Sequence, residues 1–187
     1  MSLYILLAKE TVENFVKERK VIEAPEDLPE EFLKKRAGTF VTIEKNGELR
    51  GCIGTYLPTR INIAEEIIHN AVAAATEDYR FSPIEEKELS SLSYTVYILN
   101  EPELVNDLKE LNPKKYGVIV KTVPITAPNG TDVVFNGHFV AKTGLLLPDL
   151  EGVDTVEQQI SIACRKGGIN PLEEKIFIYK FTVEKYQ

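Results

Sequence analysis

The spacing of apolar residues predicts three helices along the chain. Apolar residues recur at intervals of three and four over positions 3–19, with charged residues around the rest of the turn, which is typical of an amphipathic helix. A second series, rich in small residues, predicts a closely packed helix from Ile61 to about Thr76. A third helix is expected to begin at Asp154 or Thr155, each followed three residues later by a capping Glu or Gln, and to continue through Lys166.

Segments rich in β-branched and aromatic residues predict the strands. They are Leu92–Leu99, Gly117–Val123, Asp132–Phe135, Phe139–Leu147 and Lys175–Val183, besides the hairpin described next. Strands occur in runs, without the regular strand–helix alternation of a parallel sheet, so the sequence predicts an α+β fold with a mainly antiparallel sheet covered by a few helices. We find no linker-like segment and therefore predict one domain over residues 1–187.

The strongest local prediction is a β-hairpin that turns at the Asn-Gly pair of positions 46 and 47. Asn-Gly is the dipeptide most typical of a two-residue type I′ turn. Such a loop would pair Val41 with Cys52 and Ile43 with Arg50, because residues count outward from the turn on both strands. Alternate residues of a strand take opposite faces, so the four side chains are expected to share one face.

Arg50 and Cys52 are the candidate catalytic residues. Gly51 and Gly54 beside the cysteine would let a ligand or another backbone approach closely and are candidate binding residues. A guanidinium roughly 7 Å from the sulfur could lower the pKa of the thiol and make it a nucleophile. Alternatively, Cys52 is a small apolar side chain packed against Val41, since free cysteines are often buried and no adjacent base is identifiable.

Asp78 and Arg80, just after the Ile61–Thr76 helix, are further candidate binding residues. They could position an anionic group together, or simply pair with each other across the helix end. His69 and His138 have no acidic residue at ligand spacing, so we predict no metal site. No motif identifies a cofactor, and the cofactor stays unknown.

Composition and charge narrow the range of partners. The 22 Lys and Arg residues against 29 Asp and Glu residues leave a net charge of −7, which would repel a phosphate backbone and makes a nucleic-acid partner unlikely. The apolar run at residues 4–8 is far too short to span a membrane. The two cysteines lack CxxC spacing, which argues against a zinc site or a disulfide framework. We therefore predict a cytoplasmic protein without a membrane partner.

Four segments of the chain resemble the AMMECR family, and their order along the chain matches it. They are Leu49-Arg50-Gly51-Cys52-Ile53-Gly54, Asn70–Phe81, Gly144–Val153 and Glu157–Ile169. The resemblance spans nearly the whole chain and is closest to members of the bacterial and archaeal AmmeMemoRadiSam system. Two departures stand out: Tyr79 occupies a position where the family usually has Pro, and Thr59–Asn62 replaces the more usual Pro-Leu after Pro58.

The resemblance implies an α+β fold with a small interwoven subdomain, and a genomic association with a radical SAM protein and a Memo-like protein. It implies no established reaction. Two functions therefore remain open. The chain is an interaction or substrate-presenting module that works with those two proteins, or it is an enzyme that uses Cys52 as an activated thiol on a small cytosolic substrate.

Overall fold

The structure, a computed structural model, describes residues 2–123 and 141–187. The chain divides into two compact units. The first comprises the residues up to Leu99 together with Glu184–Gln187, and the second comprises Asn100–Val183. Eight strands in the described residues form two antiparallel sheets, and helices accompany both, which confirms the α+β prediction. The prediction of one domain over residues 1–187 stays a prediction.

The helices and strands have the following bounds in chain order. The helices are α1 (Leu3–Glu18), α2 (Glu30–Lys34), α3 (Ile63–Thr76) and α4 (Val156–Lys166), with short 3-10 helices at Glu86–Ser91 and Leu108–Glu110. The strands are β1 (Thr39–Lys45), β2 (Glu48–Gly54), β3 (Leu92–Leu99), β4 (Glu103–Leu104), β5 (Gly117–Lys121), β6 (Thr143–Leu146), β7 (Phe177–Phe181) and β8 (Val183–Tyr186).

In the first unit, the sheet has the order β2-β1-β3-β8, and α1 and α3 pack on it. Val41 and Ile43 of β1 lie in its core with Ile67 and Ala71 of α3. The side-chain oxygen of Ser2 accepts the backbone N–H of Tyr4 and caps α1. Burial of these apolar stripes stabilises both helices, because helices of this length are marginal alone in water. The predicted helices over residues 3–19 and Ile61–Thr76 are therefore confirmed to within two residues.

In the second unit, the sheet has the order β4-β7-β5-β6, and α4 packs on β5 and β6. Val118 and Val120 pack with Ala163 and Cys164 of α4 in a separate core. The N-cap of α4 is Thr155, whose hydroxyl accepts the backbone N–H three residues on, in a capping box. The sequence had left the choice between Asp154 and Thr155 open, and the structure selects the threonine.

One strand prediction is wrong, and others fall partly or wholly outside the described residues. The predicted single strand Lys175–Val183 is wrong: β7 ends at Phe181, β8 begins at Val183, and they belong to different sheets. Alternation of apolar residues continues through the break and therefore cannot reveal it. Three predictions fall wholly or partly outside the described residues: the strand at 132–135, His138 and the first part of the strand at 139–147. The described part of the strand predicted at 139–147 contains β6.

The hairpin turn is confirmed, but its predicted register is wrong. Asn46 and Gly47 have φ angles of 52° and 84°, as a type I′ turn requires. The register then shifts at a β-bulge, and Cys52 pairs with Thr42 instead of Val41. Arg50 is the extra residue at the bulge, since Glu44 pairs with Leu49 and Ile43 with Gly51. One inserted residue exchanges the two faces of the strand beyond it.

Close packing of Gly51 on α3 accompanies this bulge. A Cβ atom on Gly51 would lie 2.2 Å from the carbonyl oxygen of Ala74, so only glycine lets the strand approach the helix this closely. The shifted register turns Gly51 towards the helix and Cys52 to the opposite face. The predicted single face that carries Val41, Ile43 and Cys52 is therefore wrong.

Candidate functional site

Arg50 is held by an extensive set of hydrogen bonds around Glu88. Its Nε and Nη2 each donate to a carboxylate oxygen of Glu88 at 3.0 Å. Its Nη1 donates to the carbonyl of Ser82 at 2.8 Å, and Nη2 also donates to that of Pro83 at 3.3 Å. Only 13% of the Arg50 side chain is exposed. The guanidinium is thus committed to structural contacts and is not directed at the sulfur of Cys52.

Glu88 is buried and receives further donors. Nζ of Lys45 and the backbone N–H of Glu85 each donate to it at 3.0 Å. The pKa of Glu88 is lowered to about 2, chiefly by the hydrogen bonds from Arg50 and further by the Glu85 N–H and by Lys45, against burial, which raises it. A buried carboxylate with this many donors stays ionised at neutral pH and holds the 3-10 helix Glu86–Ser91 to the hairpin.

Asp78 joins Cys52 to Arg80 just beyond the end of α3. Its Oδ2 accepts the backbone N–H of Cys52 at 2.9 Å and Nη2 of Arg80 at 2.7 Å. Its Oδ1 accepts Nε of Arg80 at 2.9 Å and the Arg80 backbone N–H at 3.2 Å. The carboxylate is buried, whereas 44% of the Arg80 side chain is exposed. A buried anion therefore fixes the orientation of a half-exposed cation.

The charges of this pair stabilise each other. The hydrogen bonds from Arg80 are the main reason that the pKa of Asp78 is lowered to about 2, and the backbone N–H of Cys52 contributes, while burial opposes the shift. The hydrogen bonds to Asp78 raise the pKa of Arg80, and the negative charge of an ionised Cys52 adds to that effect. The charge of Arg80 therefore interacts favourably with that of an ionised Cys52.

Cys52 is half-buried on the face of the sheet opposite Val41. Its Sγ lies 3.2 Å from Oγ1 of Thr42, its partner across the hairpin. Thr42 pairs with Cys52 on one side and with Thr95 of β3 on the other, so the thiol shares a face of the sheet with Tyr97, two residues further along β3. Burial raises the pKa of Tyr97, and the charge of an ionised Cys52 raises it further. The predicted packing of Cys52 against Val41 is therefore wrong, because the bulge separates their faces.

A cleft of about 460 Å³ lies beside these pairs, and we call it the basic cleft. Phe81 lies between its two arginines, with its ring centroid 5.9 Å from Cζ of Arg50 and 5.4 Å from Cζ of Arg80. The lining residues are Lys45, Arg50, Arg80, Phe81, Ser82, Glu85, Lys87 and Glu88. Four of these side chains are cationic and two are acidic.

Arg80 and Phe81 line the basic cleft, and Tyr79 precedes them in the chain; we call these three consecutive residues the rim. The side chain of Tyr79 is almost fully exposed, at 95%. Asp78, which precedes Tyr79, is buried and paired with Arg80, so the rim backbone is anchored although its side chains face solvent. The rim is therefore an ordered feature with two large exposed side chains.

Sequence reasoning missed Glu88 and Lys45 at the basic cleft, and it also missed the buried Glu66 near the start of α3. Glu66 of α3 is fully buried and accepts hydrogen bonds from Thr55 and from the backbone N–H groups of Thr59 and Arg60, which fix the segment after β2. The signal for Glu66 was present, because its position falls on the buried face of an apolar helix. No pattern marked Glu88, which lies in a short acidic segment.

The other predicted residues have structural roles in this part of the chain. Gly54 allows the Phe40 ring to pack on the strand, since a Cβ atom there would lie 2.3 Å from that ring. His69 is exposed, with Nδ1 2.9 Å from Nη2 of Arg60. Across residues 2–123 and 141–187, no group of three or more His, Cys, Asp or Glu residues is arranged to hold a metal ion. Within the same ranges, no helix has the length and apolar character needed to cross a membrane.

Comparisons with known proteins agree on one family. The model of the AMMECR1 family matches residues 5–186. A protein of Thermotoga maritima is 50% identical over 98% of this chain and 97% of its own length. A protein of Clostridium acetobutylicum is 41% identical over 98% of this chain but only 34% of its own. The crystal structure of the uncharacterised protein PH0010 from Pyrococcus horikoshii has a TM-score of 0.80 and 30% identity, covering 97% of this chain and 88% of that one.

Proposed function

Because the chain belongs to the AMMECR1 family, we propose that it is an interaction module that offers the rim and the basic cleft to a partner protein. The observation that carries this proposal is the contrast within one ion pair. Asp78 is buried, whereas Arg80 is half-exposed and oriented by two hydrogen bonds from its guanidinium to that carboxylate. This arrangement presents a cation without letting its side chain move freely.

The composition of the rim supports a protein-binding role. Tyr and Arg are the residues most often found to dominate binding energy at protein interfaces, together with Trp. The guanidinium of Arg80 is held before binding, so less conformational entropy is lost when a partner contacts it. Tyr79 has only two side-chain torsions and offers a large amphipathic ring at small entropic cost. The rim thus combines residue types that are common in binding surfaces with an arginine whose conformation is fixed before binding.

The partners we propose are the radical SAM and Memo-like proteins that the family resemblance implies. The contacts of Arg50 favour this role over catalysis. The guanidinium of Arg50 donates to the carboxylate of Glu88 and to the carbonyls of Ser82 and Pro83, so its hydrogen-bonding capacity is used within the fold. A surface that binds and presents does not require this arginine to activate a thiol.

Capture experiments with the purified radical SAM and Memo-like proteins of the same genome test this proposal. Immobilised wild-type chain is compared with Tyr79→Ala and Arg80→Ala. We expect each substitution to raise the dissociation constant about tenfold or more, as loss of a central interface residue commonly does. Arg50 is a poor probe, because its replacement also breaks the buried pair with Glu88.

Matched controls separate the rim from general surface effects. Ile61→Ala removes an apolar side chain that is 77% exposed before the start of α3, at the opposite end of that helix from the rim. Lys20→Ala removes an exposed cation. Both controls are expected to bind like the wild type. Wild-type affinity in the two rim variants would contradict the proposed surface, and no binding of either protein by the wild type would contradict the proposed partners.

A second function is favoured by the position of Cys52. Its sulfur is half-buried rather than sealed in a core, it lies beside Thr42, and the charge of Arg80 acts on it. We propose, as the alternative, that Cys52 is a thiolate stabilised by Arg80 and adds to an unsaturated electrophilic carbon of a small substrate. The sulfur lone pair forms the new C–S bond as the π bond of that carbon opens, and its electrons take up a proton from solvent. Cations near a thiol favour the thiolate, which is the reactive form.

Alkylation by iodoacetamide as a function of pH tests the alternative. The measurement uses Cys164→Ala, which removes the other described thiol, alone and combined with Arg80→Gln. If Cys52 is an activated thiolate, it reacts at pH 7 faster than a free thiol, and Arg80→Gln slows that reaction. A Cys52 that reacts no faster than a small free thiol, with or without Arg80, would remove the support for this function.

A further inference from the structure

We infer that the basic cleft recognises carboxylate groups, supplied by an acidic segment of the partner protein. This inference rests on the proposed function and specifies the chemistry of the partner. The cleft is lined by four cationic side chains and two acidic ones, in a chain whose net charge is −7. When Asp78, which pairs with Arg80 beside the cleft, is counted, the four cations face three carboxylates, so a small excess of positive charge remains in a protein whose overall charge is negative.

The four cations of the cleft differ in what they can still bind. Arg50 and Lys45 are committed to the buried carboxylate of Glu88. Arg80 uses Nε and Nη2 for Asp78, and its Nη1 has no hydrogen-bond partner among the residues that the structure describes. Nη1 can donate to an incoming carboxylate without breaking the existing pair. Arg80 is therefore the primary recognition group of the cleft.

Lys87 supplies a second available cation. It pairs with Glu85, but both side chains are largely exposed. Exposed pairs of this kind contribute little, so a carboxylate from a partner can replace Glu85 at small cost. Lys87 and Arg80 line the same cleft, which gives two cations for neighbouring carboxylates of one segment. Phe81 adds an apolar floor beside the guanidinium of Arg80.

An acidic protein segment fits this cleft better than a phosphate backbone does. The overall charge of −7 would repel a nucleic acid along most of its length. A short acidic segment carries its charge only where the cleft is positive, and it leaves the partner free to contact Tyr79 with other residues. Charge complementarity of this kind mainly raises association rates and specificity.

Fluorescence anisotropy with labelled hexaglutamate tests the inference, with hexalysine of the same length as the control probe. We expect hexaglutamate to bind and hexalysine not to bind. Added salt should weaken the binding, because exposed charges are screened. Arg80→Ala should weaken it about tenfold or more, the usual effect of losing a hydrogen bond to a charged group. Lys87→Ala should weaken it less, and Lys20→Ala should not change it.

Three outcomes would overturn the inference. The first is the absence of hexaglutamate binding, and the second is equal binding of hexalysine. The third is competition by inorganic phosphate at the same concentration at which free glutamate competes, which would indicate a general anion site. Lys87 is exposed, so its substitution reports on binding even if Arg80→Ala disturbs the fold. If partner capture depends on the rim but hexaglutamate does not compete for it, the proposed function stands and only this inference fails. If hexaglutamate binds but neither partner is captured, the carboxylate-binding cleft stands and the proposed partners fail.

Discussion

Two arginine–carboxylate pairs flank Phe81, and they differ in how much of the arginine they leave exposed. In the Arg50–Glu88 pair both side chains are nearly buried, and every nitrogen of the guanidinium donates a hydrogen bond. In the Asp78–Arg80 pair only the carboxylate is buried, and one guanidinium nitrogen lacks a partner within the described chain. An arginine and a carboxylate therefore form a closed pair in one case and an open pair in the other.

The difference in exposure suits the Arg50–Glu88 pair to stabilising the fold and the Asp78–Arg80 pair to contacting a ligand. A fully satisfied pair in a desolvated position joins the hairpin to the 3-10 helix that follows Pro83, and it offers nothing further to a ligand. A half-exposed pair contributes less to stability, because solvent screens its charge, but it retains hydrogen-bonding capacity. The difference predicts that substitutions in the two pairs have effects of different size on folding and on binding.

The largest effect on stability is expected for Glu88→Gln. This change leaves Arg50 and Lys45 without their counter-charge and replaces one acceptor oxygen of the carboxylate with an amide NH2 group. Breaking one partner of a buried ion pair costs about 3 kcal/mol of the free energy of unfolding. Urea denaturation measures the loss. Glu85→Gln is the matched control, because Glu85 is exposed, and it is expected to change stability little. Equal effects of the two substitutions would contradict the structural role of the Arg50–Glu88 pair.

The second-largest effect is expected at low pH, where the Arg50–Glu88 pair should contribute less to the free energy of unfolding. The folded pKa of Glu88 is lowered to about 2 from an ordinary 4.5. Its contribution is fully present above pH 4.5 and is lost as the pH falls towards 2, because the unfolded chain then binds a proton that the folded chain does not. The stability difference between wild type and Glu88→Gln should therefore shrink by about 2 kcal/mol from pH 6 to pH 3. A difference that is independent of pH would show that Glu88 is not ionised in the folded protein.

The smallest effect on stability is expected for Arg80→Ala. Asp78 keeps the backbone N–H groups of Cys52 and Arg80 as donors, and the lost side chain was half-exposed. We expect the free energy of unfolding to fall by about 1 kcal/mol, after allowance for solvent screening. Thermal and urea unfolding measure the change. A loss as large as that of Glu88→Gln would show that the open pair is also a structural one.

Local sequence patterns predicted much of the fold because they depend on neighbouring residues. The stripes of α1 and α3, the capping box at Thr155 and the Asn-Gly turn each follow from short-range rules, and the structure bears them out. The patterns also located Cys52, Asp78 and Arg80 as chemically interesting residues, although their roles stay predictions. Asp78 and Arg80 are two residues apart, so their pairing was already conceivable from sequence.

Contacts between distant residues were decided only by the tertiary structure. The bulge at Arg50 accompanies the close approach of Gly51 to α3, and it reverses the face that a regular hairpin would assign to Cys52. Glu88 lies 38 residues from Arg50 along the chain and forms the buried ion pair that orients this arginine. Charge partners are chosen by proximity in space, and a sequence pattern of period two or 3.6 carries no information about them. The sequence by itself therefore determined the elements and the family, whereas the packing of α3 and the 3-10 helix against the hairpin determined which arginine is buried and which is exposed.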